Sequence, residues 1–227
     1  MSEATAYTML MASLPPHPMS LWNFKNKPVT RLHFERQLKL LTEQDTQQLA
    51  AIESVLHWHK MQEANSDAEI SVEAERVIQS INNPTLQKAI IWRLELRTVI
   101  TAIRRRKLGL NPPAKNEPWG YGQVVPFIRN NWHVDDFSLS RRFPWLMQAK
   151  TLFETDQSLE LEKLLLNLSW QYYESIGQGH YFDFEAVVIY ALRWDIVSRW
   201  TKCDEQAAMK HFEEIVTLGL DDFVLTV

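Results

Sequence analysis

A few places in this chain bring together side chains that could do chemistry. His180 and Asp183 lie three residues apart in the glycine-flanked stretch GQGHYFD. An imidazole beside a carboxylate can pass protons as a general acid or base, although one His near one Asp is a pattern of low specificity. His133, Asp135 and Asp136 in WHVDD are metal-ligand types. A cation needs more converging donors, and an aspartate that caps the next segment is the simpler reading. His57 and His59 in HWHK are two apart, which places them on opposite sides of a helix and not on one metal. Cys203 has no glycine-rich or histidine context and reads as a structural thiol. No catalytic constellation, metal, cofactor or small-molecule substrate is therefore expected.

The strongest electrostatic signal is Arg104, Arg105, Arg106 and Lys107, at the end of LELRTVITAIRRRKLGL. On a helix, four consecutive residues fan over all faces, so they make no single flat patch. Cations at a helix C-terminus also complement the macrodipole, by about 0.3–1 kcal/mol each. The run thus has three readings: a charged helix end, a docking surface for a protein partner, or a nucleic-acid contact. A nucleic-acid contact would want a wider basic face with aromatics. Further back, Arg93, Arg97 and Arg104 share one stripe. Arginines inside a long central helix are costly unless paired, and Asp183, Glu185 and Asp195 of the second half can supply carboxylates.

Composition narrows the class. The net charge of −4 opposes polyanion binding by the whole molecule. The charge is unevenly placed: residues 1–115 hold 15 Lys+Arg against 11 Asp+Glu, and residues 116–227 hold 9 against 17. Such a dipole can orient docking. A single cysteine rules out an intramolecular disulfide and fits a reducing cytoplasm. No basic region followed by an apolar run opens the chain, and no apolar stretch approaches ~18 residues, so neither a secretory signal nor a membrane span is expected. Nine tryptophans spread over most segments read chiefly as helix-packing residues.

The elements that must position these residues read as helices. All 6 glycines fall where a helix would end or a loop would lie, and no phosphate-cradling glycine-rich loop is present. Asn83 and Pro84 start, and Gly109 stops, a stretch of about 25 residues, a rod near 37 Å at ~1.5 Å per residue. Thr30, Thr42 with Asp45, Ser66 with Glu69, and Asp204 read as further N-terminal caps. Pro15, Pro16 and Pro18 stop the opening apolar segment, and NPPAKNEPWGYGQ reads as a linker. The expected fold is all-α: a helical bundle of about eight to ten helices in two lobes with one long central helix. The lobes would be residues 1–111 and 124–227, joined by a linker over 112–123.

Two stretches carry a family resemblance. YTMLMASLPP looks like the start of a bacterial family, encoded beside V-type ATPase genes, whose members open on a YYYLVASLP-like segment. LELRTVITAIRRRKLGL resembles that family's central helix, and is similar to the N-I-x-x-x-L-R-x-K-x-x-G style of helix in the V/A-type ATPase C subunit, called d in eukaryotes. FEAVVIYALRWDIVSRW followed by FEEIV fits the family's C-terminal end. The resemblance implies an all-helical, non-catalytic subunit of the kind that sits as a funnel on the rotor ring and receives the central stalk. It further implies V/A-type ATPase stalk or rotor subunits as partners, and a cytoplasmic place at the inner face of the membrane held through them. Arg104 to Lys107 would then meet acidic stalk or rotor surfaces. The chain departs from the C/d subunit in being shorter than its three lobes, and in having Leu96-Arg97-Thr98 where an Asn is common.

Overall fold

A computed structural model describes residues 3–22, 29–56, 67–115, 117 and 119–201. Among these residues the chain is helical, with no strand. The helices are α1 (Glu3–Ser13), α2 (Arg31–Leu38), α3 (Glu43–Leu56), α4 (Asp67–Ser80), α5 (Pro84–Lys107), α6 (Val124–Asn130), α7 (Leu146–Glu154), α8 (Ser158–Ile176) and α9 (residues 184–201). The all-α expectation holds. The HWHK histidines, Ser66, Cys203 and the segment after Asp204 lie outside the described residues.

Local chemistry sets the ends of α5. Asn83 Oδ1 accepts the N–H groups of Thr85 and Leu86, both at 3.1 Å, and Pro84 fills the first helical position. At the far end Gly109 takes φ +68°, and the Leu110 N–H reaches back to the Arg105 carbonyl at 3.0 Å. That left-handed closure suits glycine, which carries no Cβ to clash. Thr42 Oγ1 accepts the Asp45 N–H at 3.1 Å at the start of α3, and Thr30 caps α2.

Packing makes α5 the spine. Its middle is buried on nearly every side, with Arg93, Glu95 and Thr98 enclosed among the apolar residues. Leu86, Ile90 and Leu94 belong to a first core with Phe34, Ile52 and Val187. From Leu96 onward, Val99 and Ile103 belong to a second core with Ile128, Phe137 and Leu146. Helix α8 crosses in the same way, with Leu165 in the second core and Leu166 in the first.

The buried residues of the first core lie between 10 and 94 and between 166 and 197, and those of the second lie between 96 and 165. Residues 119–121 of the expected linker pack along α5. Trp119 is buried, and the Tyr121 N–H donates to Thr98 Oγ1 at 2.8 Å. A Cβ on Gly120 would stand 2.5 Å from Thr98 Cγ2. Proline and glycine mark an irregular backbone there, but that backbone lies flush on α5.

Candidate functional site

The C-terminal end of α5 is the place where sequence predicts an interface, and its cations are built into the fold. Arg105 Nη1 pairs with Glu117 Oε1 at 2.8 Å, and Glu117 Oε2 also accepts the Ala114 N–H at 3.0 Å. Those two contacts, the backbone one foremost, hold the Glu117 carboxyl below the usual range. Arg106 Nη1 donates to the carbonyls of Trp132 (3.3 Å) and Val134 (2.7 Å), and Nη2 donates to that of Asp135. Its guanidinium also lies 4.2 Å from the Phe137 ring centroid. Lys107 Nζ donates to the Phe153 carbonyl at 2.6 Å and pairs with the Asp156 carboxylate. It thereby neutralises carbonyl charge at the end of α7.

Three of the four cations thus act as clamps on the 113–117 segment, the 132–137 turn and the end of α7. Arg104 differs. It is exposed, its guanidinium sits 5.9 Å from the Phe153 ring centroid, and it has no carboxylate partner among the described residues. A fan of cations around a helix end meets a different loop on each side, and Arg104 is the member of the run without such a bond among the described residues.

Arg93 is enclosed between the helices of the first core. Burial lowers its pKa from the ordinary value, offset by Tyr173 and Asp195. Arg97 lies one turn on and half-buried. The other two carboxylates expected to pair with these arginines are engaged elsewhere. Asp183 Oδ2 is 2.7 Å from His180 Nδ1, and Asp183 Oδ1 accepts the Ala186 N–H at 2.9 Å, capping α9. Glu185 Oε1 accepts from Asn83 Nδ2 at 2.7 Å and ties the start of α9 to the start of α5. Their position at a helix start explains the change: carboxylates there are claimed by free N–H groups.

His180, Asp183 and Glu185 bring one ligand atom each within 4.8 Å of one another. All three are half-buried, and each carboxylate already bonds within the protein. Asp136 caps as its sequence position suggested, accepting the N–H groups of Ser138 (2.9 Å) and Ser140 (3.3 Å), while Asp135 pairs with Lys150 at 2.6 Å. His133 is exposed nearby.

Sequence reasoning did not single out the ion pairs between separate segments. Arg31 grips Glu53 through two bonds, at 3.0 and 2.9 Å, joining α2 to α3. Arg142 reaches the buried Glu95 at 2.6 Å, and Arg199 reaches Glu162 at 2.8 Å. The available signal was a carboxylate, Glu53 or Glu95, on a helix face otherwise apolar.

These features define an all-α protein with a rigid spine and internally clamped charge. The chain belongs to the family described as "Protein of unknown function (DUF2764)", whose model matches residues 76–220. No curated protein matches the chain, and no solved structure does.

Proposed function

We propose that this chain is a non-catalytic coupling or accessory subunit of a V/A-type ATPase, similar in role to the C (d) subunit. The opening YTMLMASLPP and the α5 stretch LELRTVITAIRRRKLGL support that reading through their resemblance. The observation that carries it physically is the sharing of α5 and α8 between two cores. Twenty-four residues at ~1.5 Å each make α5 a rod of about 36 Å. A rod whose two halves are buried in different cores passes displacement from one end of the protein to the other without bending. A subunit between a rotor and a stalk needs that property. No helix among the described residues is long and apolar enough to cross a membrane, so membrane association would run through partners. Nucleic-acid binding through the basic run is the weaker reading, because Arg105, Arg106 and Lys107 are spent on internal bonds.

Tagged co-purification from nuclease-treated, mildly solubilised source cells tests the proposal, with partners identified by mass. Recovery of V/A-type ATPase stalk or rotor subunits is the expected result. Recovery of the protein alone, or with unrelated partners, overturns it.

A further inference from the structure

A cavity of about 260 Å³ lies between α1, the end of α8 and the first turns of α9. Met11, Ala186 and Ile189 give it an apolar wall, and the stacked rings of His17 and Tyr190 line it as well. Its cation is Arg193, the only Lys or Arg lining it among the described residues. The guanidinium lies 3.8 Å over the Trp170 ring, and its Nε is buried without a hydrogen-bond partner. The Glu174 carboxylate stands 3.7 Å from Nη2, beyond hydrogen-bond reach. Arg31, Arg105, Arg106, Arg142 and Arg199 each donate to a carboxylate or a carbonyl, and among the described residues Arg193 does not. A guanidinium drawn into the fold without such a bond is costly to keep. Two histidines border the same space. His180 Nδ1 is engaged with Asp183 at 2.7 Å, which leaves Nε2 as the nitrogen a ligand can use. His17 Nε2 is engaged with the Tyr190 carbonyl at 3.0 Å, which leaves Nδ1.

We propose that this cavity binds a small organic carboxylate through Arg193. A guanidinium that spends one face on an indole ring keeps its edge, where paired N–H groups match the two oxygens of one carboxylate. His180 adds a second polar contact, and the wall of Met11, Ala186 and Ile189 takes an apolar body, the usual division of labour in a small-ligand site. The volume is below the roughly 300–1,000 Å³ of drug-sized sites, so a compact molecule fits and a nucleotide does not. A phosphate dianion meets a further obstacle, because Glu174 lines the same space and repels a second negative charge. A metal cation is opposed by the guanidinium itself. Binding here is independent of the coupling role, and either can hold without the other.

The test is an NMR titration of the full-length protein at neutral pH with sodium benzoate and, separately, sodium isobutyrate, following the ring signals of His17 and His180. Saturable shifts of both rings are expected with at least one of the two, at a Kd on the order of 1 mM. Benzamide keeps the aromatic body and loses the charge, and it should bind about tenfold more weakly than benzoate, as should inorganic phosphate. Arg193→Met keeps an apolar stem over Trp170 and should weaken carboxylate binding about tenfold, with Arg193→Lys between it and the native chain. Glu174→Gln, at a side chain 54% exposed, should strengthen binding about threefold by removing the competing carboxylate. No saturable shift with either carboxylate overturns the proposal, as does benzamide or phosphate matching benzoate. Unchanged affinity in Arg193→Met, or unchanged or weaker affinity in Glu174→Gln, also overturns it. The benzamide, phosphate and Glu174→Gln arms leave Arg193 in place, so they decide the matter even where Arg193→Met melts early.

Discussion

Lowering the pH should strip stability from this protein through one side chain, His17. Its ring stacks on Tyr190 with centroids 4.1 Å apart and meets the edge of Trp170 at 5.8 Å. Its Nε2–H donates to the Tyr190 carbonyl at 3.0 Å. Burial, and then the Arg193 guanidinium lying 3.8 Å over the same Trp170, lowers its pKa from 6.5 to about 4. The folded protein therefore resists a proton that the unfolded chain accepts. Between pH 6.5 and 4 the unfolded state binds more protons, so stability is complete above 6.5 and drains as pH falls towards 4. Between about pH 7 and about pH 5 the difference comes to about 2 kcal/mol, since each tenfold difference in proton affinity is worth ~1.4 kcal/mol.

The assay is urea unfolding, followed by tryptophan fluorescence, at those two pH values for the native chain and for His17→Phe. The variant keeps the ring stack and loses the titration, so the other histidines cancel in the comparison. The native chain should lose about 2 kcal/mol more than the variant. Parallel losses in the two proteins, or an NMR titration of His17 with a midpoint near its ordinary value, would refute the reasoning.

Arg106→Ala should cost about 2 kcal/mol, since it removes charged bonds to three carbonyls and a ring contact, and hydrogen exchange should quicken in residues 132–137. Gly122→Ala should cost about 1–3 kcal/mol in urea unfolding, because φ there is +85° and the new Cβ would stand 2.7 Å from Glu95 Cγ. Ile52→Ala in the first core and Ile128→Ala in the second should each cost about 2–5 kcal/mol. Both should lower the same single unfolding transition, because α5 and α8 belong to both cores; two separate transitions by calorimetry would break the spine argument.

The starts of α2, α3 and α5 were legible because they carry strong local chemistry. Asn83-Pro84 and Gly109 fix α5 through backbone groups that must be satisfied wherever the helix lies. The assignment of helices to cores was not legible, because it depends on which apolar face meets which. The step from Leu94 to Leu96, or from Leu165 to Leu166, leaves no mark in a continuous apolar pattern. In the expected linker, Pro and Gly report backbone shape, and the close approach of Gly120 and Gly122 to Thr98 and Glu95 is a tertiary fact that the sequence does not print. At the basic run, sequence supplied the charge but not the carbonyls of residues 132–135 that consume it, since unpaired carbonyls belong to turns whose position is a tertiary fact.

The same logic separates the two sets of arginines on α5. Consecutive cations at a helix end radiate, so Arg105, Arg106 and Lys107 each find a different loop. Arg97 and Arg104, seven residues apart, instead lie on one side of the helix, where both line the space between α5 and α8. The dense run is therefore a folding device in its last three residues. A charge reversal spread over the whole run would loosen the second core before it tested any interface, whereas reversal at Arg104 alone tests the interface with the clamps intact.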